Sequence, residues 1–367
     1  MPRRPRTDPI MAMLPGTPAV WLAVACSLSL SIAAAAPPAP QPQRTDLITD
    51  MPAAGDLAAP ANGQTLYILD ETRGEVVAID PFEPTKRWTA VAAGTGRAAA
   101  AGPLAIGCID TSMLVSLCHA SGGWSLQTHR LQPGTAADCD KPTQTVAIGK
   151  AAGDAAAAAP KTNADRPSGD VTAFLAVSPS RDWLGVCGLP APLPAVMRGP
   201  IAGARIGGMS ARNCPVIPAD LRPAAATISP ADEFVIFSRE QADRSAASVF
   251  VSFYLPPDPR RLLHLDTSLP RIRDACFCRA DGTLWVVGGG PPGETIEETA
   301  AAGVPEGLWR IDAVLRNGRQ SAEAVCVARL EGARAVVCLS ERIIIVTHGR
   351  DARVVSQIDP TQPASKP

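Results

Sequence analysis

The stretch Ala176-Val177-Ser178-Pro179-Ser180-Arg181-Asp182-Trp183-Leu184 reads as a short apolar strand, a polar turn and the start of a second strand. It recurs as Thr227-Ile228-Ser229-Pro230-Ala231-Asp232-Glu233-Phe234, and again around Cys276-Phe277-Cys278-Arg279 with the turn Asp281-Gly282. Less regular versions turn at Asn62-Gly63, Thr111-Ser112 and Glu341-Arg342. With Pro60, Ile109, Ser178, Ser229, Arg279 and Leu339 taken as equivalent, the intervals are 49, 69, 51, 50 and 60 residues. A unit of about 50 residues therefore repeats six times.

Further runs extend each unit. Val76-Val77-Ala78-Ile79-Asp80-Pro81 and Val354-Val355-Ser356-Gln357-Ile358-Asp359-Pro360 end alike, and residues 308–312 supply the same element. Fourth, outer runs follow at 87–92, 143–148, 261–265 and 322–328. Four antiparallel strands in about 50 residues make a propeller blade, so the pattern predicts an all-β, six-bladed β-propeller over 44–360, with seven blades as the alternative. The last unit lacks a fourth strand. Residues 44–50 precede the first unit and are expected to fill that place, which would close the ring and remove an open sheet edge. Insertions are expected at 150–169, which is Ala-rich, and at 289–304, with a disordered tail over 361–367.

The Ser-Pro…Asp strand pairs resemble those of YVTN/WD40-like and TolB-like propellers, and Ala280-Asp281-Gly282-Thr283-Leu284-Trp285-Val286 is similar to the corresponding pair of NHL, SMP-30 and streptogramin-lyase propellers. The resemblance covers residues 44–360 as a repeat class. It implies architecture, and it carries no catalytic set across.

Arg3, Arg4 and Arg6 precede an apolar run over 19–36 that ends in four alanines, the pattern of an export signal cut after Ala35. An uncleaved anchoring helix is the alternative. A Pro-rich tether spans 36–43. The chain is thus expected to be secreted or periplasmic, with no membrane span once the signal is removed.

With 34 Lys+Arg against 35 Asp+Glu, a formal charge of −1 gives no footprint for nucleic acid. Walker, Gly-x-Ser-x-Gly and His-Glu-x-x-His motifs are absent from the sequence. Gly94-Thr95-Gly96 leads into an Ala run and reads as an inter-unit turn. The histidines His119, His129, His264 and His348 read as structural, His129 as a turn or capping residue.

Of ten cysteines, Cys108, Cys278 and Cys338 share one position before the turn, where other units carry Ala59, Val177 and Ile228. That slot is small and apolar, so free buried thiols are expected there, with disulfides across neighbouring strands or blades as the alternative. Cys139 and Cys214 lie in loop-like sequence and are the candidates for one disulfide. Cys276 and Cys278 alternate on one strand without a second pair at zinc spacing, so no metal or other cofactor is expected.

One constellation remains as a candidate ligand site on the channel rim: Asp170, Arg222, Asp274 and Arg334, at the entrances of innermost strands. Asp274 and Arg334 stand five residues before their turns in consecutive units and are expected to face each other across a blade boundary. Loop-built faces favour an exported protein-binding scaffold. The runner-up is a six-bladed propeller enzyme, lactonase- or lyase-like, acting at the channel mouth. A small-ligand binder comes third.

Overall fold

A computed structural model describes residues 42–92, 103–120, 123–131, 141–148, 173–190, 193–203, 205–211, 214, 217, 221–240, 247–253, 262–289, 304–312, 323–339, 343–350 and 352–363. Every element among them is a strand. After β1 (Pro42–Ile48) come β2 (Ala54–Ala58), β3 (Leu66–Asp70), β4 (Glu75–Ile79) and β5 (Arg87–Val91), then β6 (Pro103–Asp110), β7 (Met113–Ala120), β8 (Gly123–Arg130) and β9 (Gln144–Ala147). The third group is β10 (Phe174–Val177), β11 (Trp183–Cys187), β12 (Val196–Ala202) and β13 (Arg205–Ile206). The fourth is β14 (Leu221–Ile228), β15 (Phe234–Glu240), β16 (Ala247–Phe253) and β17 (Leu262–Pro270). Then follow β18 (Asp274–Phe277), β19 (Leu284–Gly288), β20 (Gly307–Asp312) and β21 (Glu323–Arg329), and finally β22 (Ala335–Cys338), β23 (Ile344–His348) and β24 (Val354–Pro363).

These strands form six four-stranded antiparallel sheets in a propeller arrangement. Five sheets are consecutive in sequence, and the sixth has the order β1-β24-β23-β22. The first strands neighbour one another in cyclic order: β2 with β6, β6 with β10, β10 with β14, β14 with β18, β18 with β22, and β22 with β2.

The apolar residues explain this arrangement. Each sheet is covered on both faces by its neighbours, so second strands such as β3, β19 and β23 are buried at every position. Alternate side chains enter different cores. Leu284 and Val286 pack with Val235 and Phe237 of the fourth sheet, whereas Trp285 and Val287 pack with Val336 and Val346 of the sixth. Leu66 and Ile68 likewise join Ile345 and Val355 of the sixth sheet, and Tyr67 and Leu69 join Ile106 and Leu114 of the second. The core is therefore divided among sheet-to-sheet interfaces.

The turn after the first strand places a left-handed residue at the same position in four units, closed over three residues in three of them and over four in the fifth sheet. Gly63, Arg181, Asp232 and Gly282 each stand three residues after the aligned position and adopt φ of 63°, 65°, 59° and 71°. Their N–H groups close the turn onto Pro60, Ser178, Ser229 and Cys278 carbonyls at 2.8–2.9 Å. In the fourth unit the Ser229 hydroxyl also accepts the N–H groups of Ala231 and Glu233 at 3.2 and 3.1 Å. The Ser-Pro…Asp pattern is a turn device.

β1 pairs antiparallel with β24, Gln43 opposite Asp359 and Asp46 opposite Ser356. Ser356 Oγ donates to Asp46 Oδ1 at 2.6 Å, and His348 Nε2 lies 2.8 Å from the same hydroxyl. The single serine proton is committed to the carboxylate, so His348 Nε2–H donates to the oxygen.

Several expected boundaries are corrected. β1 begins at Pro42, inside the segment expected as tether, because its backbone pairs with β24. β24 runs to Pro363, so residues 361–363 continue a strand where a disordered tail was expected. The signal, the insertion at 150–169, the Gly94-Thr95-Gly96 turn and the interior of the 289–304 insertion lie outside the described residues. No helix among the described residues is long and apolar enough to cross a membrane.

Candidate functional site

The innermost strands carry few charges, which makes two carboxylates stand out. Asp56 on β2 accepts the N–H of Leu57 on Oδ1 and that of Ile106, on β6 of the next sheet, on Oδ2, both at 2.8 Å. Asp274, first in β18, does the same across the next boundary but one: its Oδ2 accepts the Val336 N–H of β22 at 2.8 Å. Ile106 and Val336 each stand three residues before their turn position, so the two bridges are equivalent. β2 is irregular between Ala54 and Leu57, where Asp56 has no strand partner, and this places Asp56 four residues before Pro60 whereas Asp274 stands five before Arg279.

Burial dominates the electrostatics of both groups. It pushes Asp56 up to about 6, against the backbone N–H bonds that favour its charge, with Glu71 adding repulsion. Asp274 is driven well above the carboxylate range by burial and by the negative charge of Asp56. The two acids therefore sense each other although they belong to the first and fifth sheets. Each is only half-buried, so solvent reaches them. Near-neutral titration of paired carboxyls is the property that acid–base chemistry requires.

The residues expected on the rim are placed as follows. Asp170 lies outside the described residues. Arg222 sits in β14, opposite Arg239 of β15. Arg334 is exposed just before β22, its N–H donating to Thr347 O at 2.8 Å. The Asp274 carboxylate does cross the boundary to the sixth sheet, but it meets the Val336 backbone, two residues beyond Arg334. Sequence reading missed Asp56 because its offset differs by one residue. The usable signal was Asp at nearly the same offset in two units whose counterparts, Arg334 apart, are apolar.

A second group gathers where the innermost strands enter their turns. The Arg279 guanidinium is lowered by burial and by Arg181, two sheets away, while Cys108 and Cys338 counteract this. Cys278 is buried, and Cys276 and Cys338 are half-buried on the same interface.

The cysteines and histidines need two further corrections. Cys139 lies outside the described residues, and Cys214 carries a free thiol donating to Ser210 O at 3.5 Å, so the disulfide expected for it is not made. His129 is not a turn cap. It is buried within β8, its Nε2 3.1 Å from Ser116 Oγ of β7, because the third strand continues one residue past it. The Asp46–Ser356–His348 chain is no nucleophilic triad, since the serine proton is held by the carboxylate rather than offered to the imidazole.

Among the described residues no three His, Cys, Asp or Glu groups converge as metal ligands.

No protein-family model matches the chain, and no curated protein sequence matches it. Solved structures do. The PQQ-bound aldose sugar dehydrogenase of Streptomyces coelicolor superposes with a TM-score of 0.51 at 12% identity, covering 87% of this chain and 99% of that one. A gluconolactonase from Xanthomonas campestris gives 0.48 at 14%, covering 87% and 91%. The calcium-binding protein regucalcin of Agrobacterium tumefaciens gives 0.46 at 12%, covering 89% and 96%. The fold is a β-propeller of this broad kind. The expectation of a pure protein-binding scaffold is corrected: the protein that superposes at a TM-score of 0.51 is titled a sugar dehydrogenase, so this fold is no mark of a scaffold.

Proposed function

We propose that the chain is a six-bladed propeller enzyme of hydrolytic or eliminative type, acting on a small polar substrate in its channel. The six sheets are read as six blades of one ring, closed by β1 in the last. The cyclic neighbouring of the first strands supports this, as does Arg353 Nη1, which bonds Ala54 O at 2.8 Å and Glu71 Oε2 at 2.7 Å from the sixth sheet to the first.

The observation that carries the reading is the Asp56–Asp274 pair. Burial raises both carboxyls, Asp56 to about 6 and Asp274 well above the usual carboxylate range, so both are held toward the protonated form and Asp56 can ionise near neutrality. Each oxygen keeps a lone pair beyond its amide bond, so the ionised acid can accept a proton from water or substrate and the protonated one can donate to a leaving oxygen.

Hydrolysis of an aldonolactone, followed by acid release against the spontaneous rate, tests this. Turnover with an apparent pKa near 6 is expected, falling by about 100-fold or more in Asp274→Asn. Failure to turn over any of a panel of lactones and lyase substrates, or rates in Asp56→Asn and Asp274→Asn equal to that of the unmodified chain, would refute it.

We also propose that the chain is exported, on the strength of the Arg3, Arg4 and Arg6 start and the apolar run over 19–36. A mature N-terminus at Ala36 in the extracytoplasmic fraction is the expected result.

A further inference from the structure

Three thiols meet at the boundary between the fifth and sixth sheets. Cys278 and Cys338 occupy the same position in consecutive units, at the turn ends of the adjacent strands β18 and β22, 60 residues apart in sequence. Both belong to the cluster that joins these sheets, with Cys278 1% exposed and Cys338 half-buried. Cys276 and Cys338 both pack against this cluster, so the thiols of the two sheets share one interface. The Cys338 S–H donates to the Leu339 carbonyl at 3.2 Å.

The geometry points to a cross-sheet dithiol, Cys278–Cys338, that closes to a disulfide by exchange with a small-molecule disulfide entering at the turn end of the channel. This lies outside the proposed enzymatic reaction and does not depend on it. Cys278 carries the thiolate: the Cys338 thiol and the N–H groups of Ala280 and Asp281 stabilise its charge and bring it to about 7. Cys338 is driven the other way, chiefly by its neighbour Cys278. Arg279, one residue on, presents its guanidinium to the Cys338 side. Reactive thiols elsewhere owe their reactivity to such electropositive, partly exposed surroundings.

The balance is that of ordinary exchange. Cys338, the more exposed member, loses its proton to solvent and attacks the reagent RSSR, forming Cys338–S–SR and expelling RS⁻, which takes up a proton. The Cys278 thiolate then attacks the Cys338 sulfur. The Cys278–Cys338 bond forms and the second RS⁻ leaves. Two protein thiols are oxidised by two electrons, and one RSSR is reduced to two thiols. By contrast, burial pushes up the Cys108 and Cys187 thiols, Arg279 offsetting only part of the effect at Cys108, and both are expected to stay inert.

The test uses the full reduced chain incubated with glutathione disulfide, alkylated and digested with trypsin. Peptides 274–279 and 335–342 joined through Cys278 and Cys338 are expected, at more than tenfold over any other pairing. The bridge should persist in Cys276→Ala, which removes the neighbouring thiol, and vanish in Cys278→Ser. The unmodified chain alone decides the matter if a variant fails to fold. Recovery of both cysteines alkylated, a lasting glutathione adduct on Cys338, or a bridge through Cys276 would each overturn the proposal.

Discussion

Arg181 shows what a single position costs. It adopts φ of 65° in the turn where Gly63 and Gly282 take the same conformation without a Cβ. Replacing it with glycine is expected to stabilise the protein by about 1 kcal/mol, read as a higher Tm. Asp232 shares the conformation, but its Oδ1 accepts the Ser180 N–H at 3.2 Å, so the same exchange there removes a contact between the third and fourth sheets.

Asp56 gives a pH signature of defined sign. Its folded value of about 6 lies above its unfolded value of about 4, so the native state holds the extra proton between them. That contribution is full below about pH 4 and is lost as pH rises through about 6. His129 and His348 act oppositely: burial lowers both to about 4, so their contribution fades as pH falls below about 6.5. Subtracting the Tm of Asp56→Asn from that of the unmodified protein removes the histidines. The difference is expected to decline from pH 4 to pH 6, and a flat difference would contradict the elevated carboxyl.

At the scale of elements, β1 is held by its pairing with β24 from Pro42 to Ile48, and Ser356 is the centre of one side-chain contact in that pairing. Ser356→Ala deletes the donor to Asp46 and leaves the buried His348 Nε2–H without its acceptor, which should cost about 2 kcal/mol. Deleting residues 44–50 removes most of the strand and should lower Tm further. Gly185 on β11 marks a close approach of another kind: a Cβ there would stand 2.8 Å from Cζ of the Phe234 ring, which is fully buried and has no room to shift. Gly185→Ala is expected to destabilise by about 2 kcal/mol through overpacking, measurable by denaturant unfolding.

For the whole molecule, sequence and structure agree where turn chemistry sets the geometry. The offset of three residues from Pro60, Ser178, Ser229 and Arg279 leads in every case to a left-handed residue, and this periodicity made the sheets countable. The site was less legible. Asp274 was visible at its strand entrance, but its partner is a backbone N–H, which no side-chain pattern discloses. Asp56 was hidden by the irregularity in β2, and its link to Asp274 joins sheets that are distant in sequence. The shared slot of Cys278 and Cys338 was read as apolar because Ala, Val and Ile fill it elsewhere. Only the packing of β18 against β22 brings two of its thiols together.

The pairing of β1 with β24 also has a temporal side. A ribosome delivers residues 42–48 roughly three hundred residues before the strand they must join. Until then the early strand has nothing to zip onto, and its sheet stays unfinished like an unclasped bracelet. Once fastened, β1 and β24 hold each other, so a circular permutant joined between these two strands and cut between two other sheets should still assemble.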